Sequence, residues 1–125
     1  MCPHNNPEYR SKDLDNSEIE KSKIFTNIDL IGYEPNSIVC RTIVKKPAGN
    51  ISILSFNTDK EVKEKTSPFD TFIQIIDGKA EIIIDGTSNF LEAGQSIIIP
   101  AHASNFVKAT ERFKMVSTTI KSGYE

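Results

Sequence analysis

Residues 71–100, TFIQIIDGKAEIIIDGTSNFLEAGQSIIIP, decide the fold. Four short apolar runs, 71–76, 80–84, 88–91 and 96–99, are separated by Asp77-Gly78, Asp85-Gly86 and Ala93-Gly94. Isoleucine dominates three of the runs, and a branched Cβ packs better on a pleated surface than on a helix. The glycines supply the positive φ that tight reversals need, and Asp-Gly is the strongest local signal for one. Working outward, the same grammar continues in both directions. Runs at 38–45, 51–57, 104–109 and 113–121 alternate with turn residues, among them Pro47-Ala48-Gly49-Asn50. No long helical periodicity lies between the runs, so parallel α/β architectures lose to an antiparallel all-β sandwich or barrel.

Composition bounds the function. The chain has 125 residues and is 38% hydrophobic, enough to bury one core, and one domain is expected. Fifteen basic and 17 acidic residues leave a net charge of −2, which gives no positive surplus for nucleic acid or for an anionic membrane. No run approaches the roughly 18 apolar residues of a membrane span. The N-terminus Met1-Cys2-Pro3-His4-Asn5-Asn6 lacks the basic-then-apolar layout of a secretory signal, so a cytoplasmic location is expected. Two cysteines, Cys2 and Cys40, are too few for a disulfide framework and are expected as thiols, with Cys40 a packing residue in an apolar strand.

The chain divides into an N-terminal arm over 1–35, a barrel over 36–121 and a tail over 122–125. Within the arm, Ser17-Glu18-Ile19-Glu20 fits a capping box and predicts a short helix over 18–24, while 1–16 reads as a frayed, solvated segment. The triplets Ile82-Ile83-Ile84 and Ile97-Ile98-Ile99 break the in-out alternation of a strand with one wet face. Both faces there must be partly dry. A homodimer that covers the outer face is expected, with burial under the N-terminal arm as the alternative.

The strands and turns around Asp77-Gly78, Gly94 and Pro100 resemble the two sequence motifs of the cupin superfamily, in its small single-domain "cupin 2, conserved barrel" type. The resemblance covers about residues 35–121 and implies an antiparallel jelly-roll barrel. Anchoring the last glycine of the first motif on Gly78 puts the motif's glutamate at Thr71 and its histidine pair at Lys65 and Ser67. In the second motif Gly94 and Pro100 match. There His102 stands at the glycine position, Asn105 at the histidine position and Ala109 at the asparagine position.

The metal chemistry that the resemblance would imply does not carry over. Cupin metals are usually held by three imidazoles and a carboxylate, and Lys65, Ser67, Thr71 and Asn105 supply none of these. No metal and no other cofactor is expected. Two readings of function follow. The first is a binding module whose barrel takes a small organic acid or sugar. Lys65, Ser67, Thr71 and Asn105 would face inward, and His102 would lie close to the mouth. The second is an enzyme: a metal-independent isomerase, epimerase or lyase, or one with a non-standard metal site. Its only candidate acid–base groups are Lys65, Asp70 and His102, and the sequence gives none of them a partner. Cys2 and His4 could bring soft ligands to the mouth only if the arm folded over it.

Overall fold

The computed structural model of the chain describes residues 9–11, 18–57, 61–64, 66–109 and 111–121. These residues form nine strands: β1 Tyr9–Ser11, β2 Ser37–Lys46, β3 Gly49–Asn57, β4 Glu61–Glu64, β5 Thr71–Ile84, β6 Thr87–Glu92, β7 Ser96–Ile99, β8 Asn105–Lys108 and β9 Phe113–Ile120. A single 3-10 turn at Asn27–Asp29 is the helical content of the described residues. The expected all-β jelly roll is therefore present. All pairings are antiparallel except that of β1 with β2.

One strand organises the molecule. Asp77-Gly78, read in the sequence as a reversal between two strands, lies inside a continuous 14-residue β5. The register of β5 against β9 shifts between Ile75 and Asp77, and Gly78 takes φ +76°. A glycine at such an irregularity lets a strand bend sharply without ending. The first half of β5 accordingly sits between β7 and β9 in one sheet, ordered β1-β2-β3-β9-β5-β7. The second half sits between β6 and β8 in the other, where β4 pairs with β8. Asp85-Gly86, by contrast, makes the expected tight β5–β6 turn, with φ of 47° and 85°.

The main core fills the space between the sheets. Ile38, Leu54, Phe56, Ile75, Ala80, Leu91, Phe113 and Met115 pack there, and the Phe56 and Phe113 rings stack 4.6 Å apart at 7°. A second cluster lies on the outer face of the first sheet, where Val39, Ile43, Ile53 and Val116 pack beneath Ile31, with Ile19 and Leu30 at its edge. Polar contacts hold this segment down. Arg41 Nη1 donates to the Leu30 carbonyl at 3.0 Å, Ser55 Oγ to that of Gly32 at 2.9 Å, and Lys114 Nζ to that of Ile28 at 2.6 Å. The Tyr33 hydroxyl donates to Asp77 Oδ2 at 2.6 Å, with the Arg112 guanidinium 4.6 Å above its ring. Burial, then the hydrogen bond to Asp77 and that group's charge, push the phenol well above its ordinary range, because ionisation would set two anions side by side. The raised folded pKa means that this contribution is complete below the ordinary phenol pKa near 10 and is lost as pH rises through the folded value.

Several expectations are corrected. Residues 18–24 form no helix: Ser22 has φ 68°, and the segment bonds to β2 instead, with Ile19 donating its N–H to the Ile43 carbonyl at 3.0 Å and Glu18 accepting the Lys45 N–H at 2.6 Å; Ser17, the other half of the capping box, lies outside the described residues. The hydrogen bond from Lys45 is also the main reason the Glu18 pKa is lowered. Residues 9–11, expected as frayed, add a strand to β2. β4 was not expected, since Glu61-Val62-Lys63-Glu64 has one apolar residue; charge is what an edge strand tolerates and a central strand does not. Cys40, expected as a packing thiol, is buried as foreseen but is disulfide-bonded. No helix among the described residues is long and apolar enough to cross a membrane.

Candidate functional site

Strand pairing builds a cavity of about 190 Å³ between the two sheets. Its wall can be followed row by row across the first sheet. Nearest the 66–70 and 100–103 loops, Thr119, Thr71 and Ile99 stand opposite one another on β9, β5 and β7. In the next row Ser52 on β3 faces Ser117 on β9, which faces Ile73 on β5. Below them Leu54 and Met115 pair, and the wall becomes apolar. The second sheet closes the other side with Asn105 and Val107 on β8 and Ile82 on β5. Ser67, Phe69, Pro100 and Ala103 complete the rim. The period of two explains this layout, because every second residue of β3, β8, β9 and each half of β5 points inward.

The rim is held by its own backbone. His102 donates its N–H to the Ser67 carbonyl at 2.7 Å, and Asp70 Oδ1 accepts from the Ala101 N–H at 2.8 Å. His102 has φ 69°, so the chain keeps the left-handed turn for which the resembled motif carries glycine. Its side chain is exposed and is not part of the cavity wall. Ser67 Oγ accepts from the Phe69 N–H at 3.1 Å, and the Thr71 and Thr119 hydroxyls are 3.4 Å apart.

Of the five sequence candidates, Ser67, Thr71 and Asn105 come together on the cavity wall, His102 stays on the outside of the rim turn, and Lys65 lies outside the described residues. Cys2 and His4 lie outside them as well. Asp70 is a turn-stabilising group. Ser52, Ser117 and Thr119 were missed, although serines inside the apolar runs ISILSF and FKMVST were the available signal. Two of the buried side-chain polar atoms have no hydrogen-bond partner among the described residues: Ser52 Oγ and Asn105 Oδ1. Ser52 is 2% and Asn105 5% exposed.

The wall does not suit the metal that the fold commonly carries. Hydroxyls and one amide oxygen are the donors among its described residues, and they cannot replace imidazole and carboxylate for a divalent first-row ion. No group of three or more His, Cys, Asp or Glu among the described residues could hold a metal.

Comparison with known proteins agrees with the topology. A conserved protein of unknown function from Streptococcus pyogenes has a similar structure, with TM-score 0.77 and 28% identity over 84% of this chain and 92% of that one. A cupin 2 conserved barrel domain protein from Leptotrichia buccalis gives TM-score 0.71 and 29% identity over 75% of this chain; the match spans 46% of that protein's length. A cupin superfamily protein from Desulfitobacterium hafniense has TM-score 0.76 at 24% identity, covering 83% of this chain and 95% of that one. No protein-family model and no curated protein matches the sequence.

Proposed function

Starting from a chain that belongs to the cupin superfamily, we propose that it is a binding module whose barrel takes one small organic molecule without a metal. The observation that carries this reading is the cavity: the barrel holds about 190 Å³ of space lined by both hydroxyls and apolar side chains, where a purely structural barrel would be packed solid. The catalytic alternative has less support. Asp70 is engaged by Ala101 N–H and His102 is off the wall, so the described wall presents no acid–base pair. The cytoplasmic location expected from the sequence belongs to the same proposal.

Native mass spectrometry of gently purified protein, with elemental analysis of the same sample, tests the proposal. The expected result is a small organic adduct, or binding of added small molecules, with less than about one tenth of a metal ion per chain. Ser117→Phe, which fills the cavity from β9, should abolish binding while the barrel stays folded. Stoichiometric metal, or binding unchanged in Ser117→Phe, would sink it.

We also propose a homodimer through the outer face of the first sheet. The triplets resolve residue by residue: Ile82 and Ile99 turn inward, whereas Ile98 is 60% exposed. Ile98 pairs with Phe72, which pairs with Thr118; Ile120, 56% exposed, is two residues further along the same face. The N-terminal segment covers Val39, Ile53 and Val116 on this sheet and leaves that apolar row open. Sedimentation should give a mass near twice 14.0 kDa, and Ile98→Asp should give the monomer. A wild-type monomer at micromolar concentration would refute the proposal.

A further inference from the structure

Ser52 Oγ and Asn105 Oδ1 are out of reach of bulk water and have no hydrogen-bond partner among the described residues. An orphaned buried polar atom costs folding free energy, so a chain selected for stability alone would hold alanine and leucine at these positions. The two residues are far apart in sequence, on β3 of one sheet and β8 of the other, yet both face the same cavity.

We infer, on the reading that the barrel binds a small molecule, that the ligand is uncharged, with an apolar body and one hydroxyl or amide head that donates to Asn105 Oδ1 and exchanges a hydrogen bond with Ser52 Oγ. Three features select this class. Every described lining residue is uncharged, so the described wall offers an anion no counter-charge. Leu54, Ile73, Ile82, Val107 and Met115 line the deeper wall, so a fully hydroxylated sugar would bury several hydroxyls against carbon and lose their water for nothing. Size sets the third limit: a cavity of about 150 Å³ accepts benzene, so 190 Å³ accommodates one six-membered ring with a small polar substituent. The amide oxygen is an acceptor, and the head must therefore bring N–H or O–H.

The test measures binding of four probes by calorimetry or ligand-observed NMR to the full-length protein. The probes are benzamide, its anionic isostere benzoate, the head-free toluene, and myo-inositol. Benzamide should bind at least about tenfold more tightly than benzoate or inositol. Asn105→Leu should weaken benzamide about tenfold or more, and toluene by less than about threefold. Ser52→Ala should weaken benzamide in the same direction. Both variants should melt at or above the wild-type temperature without ligand, since each removes an unpaired polar atom rather than a bond. Preference for benzoate or inositol would overturn the inference and leave the binding reading standing, as would an Asn105→Leu variant with unchanged benzamide affinity, in which water alone serves the orphan atoms. Failure of all four probes to bind would overturn both.

Discussion

Replacing Gly78 with valine is expected to destabilise the barrel severely. Two costs act together. At φ +76° an L side chain pays roughly 1–2 kcal/mol for the left-handed backbone. A Cβ here would also collide with the Arg112 carbonyl oxygen and come within 2.9 Å of Phe113 Cα, and both are backbone atoms of the paired β9 edge that cannot rotate away. Relief requires β5 and β9 to separate where β5 passes from one sheet to the other, so both sheets lose register. The sum should exceed about 3 kcal/mol, a large share of a typical domain's 5–15 kcal/mol. Gly86→Ala is the control: its φ is +85°, but nothing lies within 4 Å of the added carbon, and it should cost only the conformational part. Urea unfolding measures both. Equal midpoints for the two variants would show that the close approach at Gly78 carries no weight.

The second large effect is expected from Phe113→Ala. Phe113 is fully buried, and its ring lies nearly parallel to that of Phe56 at 4.6 Å. Truncation removes the transfer free energy of the ring, leaves a void, and takes away the stack; comparable deletions cost about 3–5 kcal/mol. For a domain of this size that is a fall of roughly 10–20 °C in melting temperature. Because Phe113 is not on the cavity wall, ligand affinity of the remaining folded protein should change little. A loss below about 1 kcal/mol would mean that the core collapses onto the gap. A large loss of affinity would mean that the two ends of the barrel are coupled. Gly78 and Phe113 face each other across the β5–β9 pair, so a double variant should show less than the sum of the two effects.

How much of the site could be read in advance differs residue by residue. Ser67, Thr71 and Asn105 were placed by the motif register alone, counted from Gly78, Gly94 and Pro100, and all three line the cavity. His102 fell in the right turn but on its outer side. The motif fixes where the backbone goes; the positive φ at 102 then decides where the side chain points. Ser52, Ser117 and Thr119 could not be chosen over Ser55 or Thr118 from the sequence. Alternation says that 52 and 55 point to opposite faces without saying which face is inside, and only the pairing of β3 with β9 and of β9 with β5 settles that parity.

By itself the sequence determined the fold class, because branched residues between glycine turns have one economical arrangement, an antiparallel barrel. Tertiary structure decided the rest. Asp-Gly supports a hairpin turn or a bend inside a strand with the same local energetics, and it was the second sheet pairing around Gly78 that selected the bend. Burial is a property of what packs opposite. Identical isoleucines in 97–99 therefore became half-buried, exposed and core residues in turn, and two polar groups 53 positions apart were brought unpartnered to one cavity.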